Sequence, residues 1–240
     1  MNVLAIGNSF SEDATRYLHG IARAGGDKLD VVNLYIGGCP LERHYRNMLS
    51  EARAYELQYN GQKTGFSVSL KEALLNRSWD VITLQQASIH SFVYDSYEPY
   101  LEELVKYIKT CAPKAKIYLH ETWAYENESW KLLTLAKYDT FENMQRDVTL
   151  TYQKAKEKIS ADGIIPSGEV FDKLLKMGVQ KIHRDTFHAS LGLGRYALGL
   201  IWYQTLFGKS ITDNSFSDFD EEITKEEIDL AKEAVSSFLS

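Results

Sequence analysis

Val3-Leu4-Ala5-Ile6-Gly7-Asn8-Ser9-Phe10-Ser11 is the stretch that decides the fold. Four consecutive apolar residues predict a strand covered on both faces, and the small polar residues behind them predict a tight turn. Ser11, with Glu12 and Asp13 after it, has the character of a helix start and predicts a helix running to Gly25-Gly26. The same alternation recurs along the chain. Apolar runs at Asp30–Ile36, Val81–Leu84, Lys116–His120 and Gly163–Ile165 join Asn2–Ile6 as strands. Between them, Leu101, Leu104, Val105 and Ile108 repeat at helical spacing behind Pro99 and up to Cys111. Asp139 with Glu142, and Thr224 with Glu227, have capping-box spacing for two more helices. Ser190 precedes a long apolar helix ending near Phe207-Gly208, and the acidic stretch 212–222 reads as a surface loop before the last helix. Strands alternating with helices through right-handed crossovers build a three-layer α/β/α sandwich, a doubly wound parallel sheet of about five strands. With no repeat, low-complexity tract or linker, residues 1–240 read as a single domain.

Composition removes several classes of function. The 240 residues are 44% hydrophobic and 25% charged, as in a globular protein rather than a disordered or fibrous one. A net charge of −6 without any Lys/Arg run speaks against nucleic acid as a partner. No apolar run approaches the ~18 residues of a membrane span. Two cysteines, Cys39 and Cys111, allow one disulfide but no cysteine zinc cluster. The chain enters its first strand directly from Met1, which reads as cytoplasmic, or as secreted or periplasmic where a leader has been removed.

In a doubly wound sheet, functional groups gather outside the carboxyl ends of the strands. There the chain has Gly7-Asn8-Ser9, Gly37-Gly38-Cys39-Pro40, Gln85-Gln86-Ala87-Ser88, and Glu121-Thr122-Trp123-Ala124-Tyr125. Ahead of the long apolar helix lies His183-Arg184-Asp185-Thr186-Phe187-His188. A serine on a strand-to-helix turn exposes its hydroxyl, but needs a base to become a nucleophile. Asp185 and His188 are close enough for the carboxylate to orient the imidazole. The N–H groups of Ser9 and Gly38, with a side-chain amide from the loop after the third strand as a third donor, are candidates for an oxyanion hole.

These blocks, from Gly7 to about Gly199, resemble the SGNH (GDSL-type) hydrolase superfamily. The resemblance matches Gly7-Asn8-Ser9 to the family's nucleophile block, Gly38 to its glycine block, and Asp185-Thr186-Phe187-His188 to its terminal Asp-x-x-His block. It implies a flavodoxin-like sheet, a Ser9 nucleophile, a His188 base and an orienting Asp185. The third block departs from the family: Leu84-Gln85-Gln86-Ala87 stands where Gly-x-Asn-Asp is usual, so Gln86 would present its amide one methylene further out. Asn8 in place of Asp is a milder departure, shared by a bacterial subgroup that opens with Gly-Asn-Ser-Phe-Ser.

Each residue also has a plainer reading. Ser9 and Asn8 are ordinary helix-start residues, Gly37 and Gly38 serve tight turns, and Gln86 could end a strand. Asp185 could cap a turn and His188 could lie under the last helix, while His183 and Arg184 read as surface residues. His44 lies near enough to the glycine block to reach the crevice. Trp123, with Tyr125 and Trp130, sits in a long loop suited to a sugar ring or acyl group. Asn8, His44 and Trp123 are therefore the substrate-binding candidates. His120-Glu121-Thr122-Trp123-Ala124 starts like a zinc-protease helix but has Ala where the second histidine is needed. The expected activity is hydrolysis of a short O-acyl ester, on a small molecule or a glycan, through a Ser9 acyl-enzyme and without metal or organic cofactor. The alternatives are a non-catalytic glycan- or phosphate-binding module and an acyltransferase using the same residues. Oligomeric state is beyond the sequence.

Overall fold

The computed structural model describes residues 1–239. Strand β1 (Asn2–Gly7) leads into helix α1 (Ser9–Thr15), and α2 (Leu18–Ala24) follows before β2 (Asp30–Tyr35). Next come α3 (Leu41–Ser50), the hairpin β3 (Tyr55–Tyr59) and β4 (Gln62–Val68), α4 (Leu70–Leu75) and β5 (Val81–Leu84). Helix α5 (Tyr100–Cys111), β6 (Lys116–His120), α6 (Phe141–Ile159), β7 (Gly163–Ile165) and α7 (Ser167–Lys176) continue the alternation. The chain closes with α8 (Leu193–Phe207) and α9 (Lys225–Ser236).

The sheet order is β4-β3-β2-β1-β5-β6-β7. The five expected strands are β2, β1, β5, β6 and β7, all parallel, in the order of a flavodoxin-like sheet. The strand count, however, is seven rather than five. β3 and β4 add an antiparallel hairpin beside β2, turned at Asn60-Gly61, where φ is 50° and 78°. Two consecutive positive φ values match the turn that a twisted two-residue hairpin needs.

Helices α1, α2, α7, α8 and α9 pack together on one face, and α3, α4, α5 and α6 on the other. β1 and β5 are buried between these layers, and their central residues are almost wholly apolar. α8 is buried nearly all round, which fits an apolar helix sandwiched between sheet and α9.

Two local expectations are corrected. The first helix is two, α1 and α2, and its cap is Asn8, whose Oδ1 accepts from Phe10 N; Ser11 is inside the helix. The α6 cap is Thr140, which accepts from Asn143 N, while Asp139 takes the Asn143 side-chain amide. The stretch 212–222 is irregular as expected but tied down: Asn214 Nδ2 donates to Ile21 O, and Asp220 pairs with Arg16 and Arg195. The Thr224–Glu227 capping box is present.

Candidate active site

The strand order reverses beside β1, and a cavity of 390 Å³ opens there at the carboxyl edge of the sheet. Each wall comes from a different loop: Asn8–Phe10 after β1, Gly37 and Gly38 after β2, and Ala87–Ile89 after β5. Tyr125, Lys131 and Leu135 after β6, and Phe187 with His188 before α8, complete it.

Gly7 makes the first turn possible. A Cβ there would lie 2.5 Å from Ser11 Oγ and 2.9 Å from the Gln85 side chain, so only hydrogen fits. Ser9 then starts α1 with its hydroxyl in the cavity, 2.8 Å from His188 Nε2. His188 Nδ1 lies 2.7 Å from Asp185 Oδ2, and Asp185 Oδ1 accepts from His188 N at 2.8 Å. An ionised carboxylate only accepts, so Nδ1 carries the proton and Nε2 is left to accept from the serine hydroxyl. Burial pushes the Asp185 carboxyl up, but the His188 side-chain and backbone bonds outweigh it and hold it below its ordinary value.

The hairpin carrying Asp185 and His188 is braced on several sides. His183 and Ala189 pair across it, and Arg184 N donates to His188 O at 2.9 Å. Glu126 N donates to Thr186 O at 2.9 Å, and Trp123 Nε1 donates to Phe187 O at 2.8 Å. His183, read as a surface residue, is structural instead, while Arg184 is exposed as expected and also tied down. His183 is buried with Nε2 3.2 Å from Ala124 O, and Arg184 binds Asp13 of α1.

Ser9 and Gly38 line the cavity, and the N–H of neither donates to another protein group among the described residues. Gly38 has φ +61°, a left-handed conformation that a glycine adopts without strain. Gln86 is corrected: it is no free donor. Its Oε1 accepts from Leu41 N and Ala87 N, both at 2.9 Å, and its Nε2 donates to Ser96. It caps α3 and ties two loops together. Its neighbour Gln85, which sequence reasoning passed over, faces the nucleophile block. Gln85 Nε2 donates to Asn8 Oδ1 at 2.8 Å, Gln85 Oε1 lies 2.7 Å from His120 Nδ1, and Asn8 Nδ2 donates to Cys39 O at 3.2 Å. This buried chain links β6, β5, β1 and the Gly38 loop.

Two of the three substrate-binding candidates lie elsewhere. His44 is completely buried behind the glycine loop, stacked on Tyr55 with Nδ1 3.0 Å from its hydroxyl. Burial lowers its pKa to about 3, so it stays neutral. Trp123 is also completely buried, stacked on Phe10 at 4.1 Å. It backs the cavity without lining it; from the same loop Tyr125 does line it, with its hydroxyl 2.9 Å from Ser88 Oγ. Asn8 borders the cavity, though all its side-chain bonds face the protein. Burial pushes the Cys39 thiol up to about 12, so no thiolate competes with Ser9. The described residues contain no cluster of metal-ligating side chains.

A family model described as a domain of unknown function, DUF4886, matches residues 2–237. The chain belongs to the DUF4886 family. A DUF4886 protein from Bacteroides uniformis shares 34% identity and a TM-score of 0.91, covering 99% of this chain and 93% of that one. Beyond the DUF4886 family, the fold is that of SGNH hydrolases. Axe2, an acetylxylan esterase from Geobacillus stearothermophilus, is 15% identical with a TM-score of 0.55 over 90% of this chain and 94% of that one. A protein proposed to be an SGNH hydrolase from Slackia heliotrinireducens gives 21% and 0.62, over 86% and 98%. Among curated proteins no match was found. No helix of the described residues is long and apolar enough to cross a membrane.

Proposed function

We propose that this DUF4886 protein is a serine esterase that hydrolyses short O-acyl esters, with a carbohydrate acetyl ester as the favoured substrate class. The observation that carries the reading is the chain Ser9 Oγ, His188 Nε2, His188 Nδ1, Asp185 Oδ2, with links of 2.8 and 2.7 Å, at the wall of an open cavity. The fold shared with an acetylxylan esterase supports the substrate class.

In this mechanism His188 Nε2 removes the Ser9 proton as Oγ attacks the ester carbonyl carbon. The carbonyl oxygen becomes an oxyanion facing the N–H groups of Ser9 and Gly38, at the N-terminal end of α1. The imidazolium, stabilised by Asp185, returns the proton to the departing alkoxide and releases the alcohol. Water then enters, loses a proton to His188, and attacks the acyl-Ser9 carbonyl; the acid leaves and Ser9 recovers its proton.

Intact-mass analysis after exposure to a small fluorophosphonate tests this directly. One adduct is expected on the parent, none on Ser9→Ala, and much slower labelling on His188→Ala. A folded parent that takes no adduct, even from the smallest probe, sinks the reading.

A further inference from the structure

Among the described residues, the cavity's only formally charged lining residue is a cation. Lys131, at the start of a π-helical turn spanning Lys131–Ala136, reaches the wall beside Phe187. Asp185 stands behind His188, outside the lining. This is unexpected electrostatics in a chain whose net charge is −6. Lys131 Nζ sits 3.1 Å from the Phe187 ring centroid, and no carboxylate lies within 4 Å of it among the described residues. An aromatic face holds a cation in place without neutralising it. Burial lowers the ammonium pKa, with Asp185 opposing that shift from a distance. Lys131 is half-buried, against an aromatic face and beyond ion-pair distance of any carboxylate among the described residues.

Its position also says which part of a substrate it meets. The leaving oxygen takes its proton from His188 Nε2, so the alcohol portion must lie on the His188 side of the cavity. The Phe187 ring is 4.0 Å from the His188 ring, and Lys131 lies over that same ring. The Ser9 and Gly38 N–H groups, by contrast, mark the carbonyl side.

We propose that Lys131 selects esters whose alcohol portion carries an acidic group, such as an acidic sugar or a hydroxy acid. This rests on the esterase reading, and the test separates the two. The probes are 4-acetoxybenzoate and its neutral methyl ester, assayed on the parent, Lys131→Gln and Lys131→Arg. Binding of 4-acetoxybenzoate to Ser9→Ala and to the Ser9→Ala, Lys131→Gln double variant is measured by calorimetry. The parent is expected to favour the anionic ester about tenfold more than Lys131→Gln does, with Lys131→Arg keeping most of that preference. The preference should shrink as salt is raised, as for any partly exposed charge pair. In the binding experiment, loss of Lys131 should weaken 4-acetoxybenzoate to a similar degree. A parent and Lys131→Gln that turn over both esters with one unchanged ratio overturn the inference and leave the esterase intact. No turnover by the parent, with binding still dependent on Lys131, overturns the esterase reading and with it the selectivity for esters, leaving an anion site. A Lys131→Gln variant slowed equally on both esters assigns Lys131 a purely structural role and refutes the proposal.

Discussion

Asn8 caps the helix that begins at Ser9, and a single substitution tests what its amide does there. The Asn8 side chain is buried and fully used: Oδ1 accepts from Phe10 N and Gln85 Nε2, and Nδ2 donates to Cys39 O. An aspartate keeps the two accepted bonds but sets an oxygen opposite the Cys39 carbonyl, 3.2 Å away. Leaving that buried carbonyl unpaired costs about 1–3 kcal/mol. Burying a charge against it adds to the cost, while negative charge at the start of α1 returns up to about 1 kcal/mol. A net loss of about 2 kcal/mol should lower the melting temperature of a chain this size by about 4–8 °C.

The pH dependence carries the sign. When protonated, the introduced carboxyl could donate to the Cys39 carbonyl, so its folded-state pKa should lie above the unfolded value of about 3.9. The penalty is then absent below that value and grows as pH rises towards the folded pKa. Thermal melts of Asn8→Asp and parent from pH 4 to 8 should start together and diverge upwards. Because Cys39 follows Gly38, the variant should also lose turnover on a small ester with little change in KM. Equal melting temperatures at pH 7, or a gap that widens on acidification, would refute the argument.

Two further outcomes follow from buried groups. Glu121 is completely buried, and burial, then Glu169, push its carboxyl well above the ordinary range against the Glu169 N–H bond. Folding therefore loses stability as pH rises above the unfolded value of about 4.3, so Glu121→Gln should match the parent in melts near pH 4 and exceed it increasingly towards pH 7. A gap largest in acid would mean that Glu121 is ionised in the folded protein. Trp123→Phe removes the bond to Phe187 O and should cost about 1–3 kcal/mol in denaturant unfolding. In ester kinetics it should lower kcat rather than raise KM, since Trp123 backs the His188 hairpin and does not line the cavity; a rise in KM alone would restore it as a substrate contact.

The parallel strands were legible because each is a short, near-continuous apolar run without the spacing of an amphipathic helix. The hairpin was not, because β4 (Gln62–Val68) is a mostly exposed edge with hardly an apolar pattern to read. Its one clear signal, Asn60-Gly61, is the dipeptide that a type I′ turn requires. Ser9, His188 and Asp185 could be found from strand ends and spacing, both of which survive in one dimension. Gln85 and Gln86 could not be told apart, since both follow a strand buried on both faces, where alternation carries no information. Trp123 shows the same limit: an aromatic in a long loop looks alike whether it faces a ligand or braces the loop from behind.

Asp13 shows what sequence order hides, and what holds the site together. It lies on α1, four residues beyond Ser9, and is completely buried. Arg184, from the hairpin that carries His188, binds its two oxygens at 2.9 and 3.0 Å, and Arg195 of α8 binds it at 2.9 Å. Arg195 continues to Asp220, which also holds Arg16. One carboxylate thus joins the element that carries Ser9 to the element that carries His188, although 171 residues separate Asp13 from Arg184. Packing could hold α1 and the hairpin in contact, but the carboxylate fixes their register. Removing one partner of a buried pair costs about 3 kcal/mol, most of it from the charges left behind. Asp13→Ala should therefore unfold several degrees earlier. Asp13→Asn keeps the shape and should lose less stability, yet slow fluorophosphonate labelling of Ser9, because the amide carries no charge and sets an NH2 donor where Oδ2 accepted from Arg184. Asp220→Asn breaks the same network at its solvent end and should leave the labelling rate unchanged. If Asp13→Asn labels at the parent rate, packing alone aligns Ser9 with His188, and the ion cluster serves stability only.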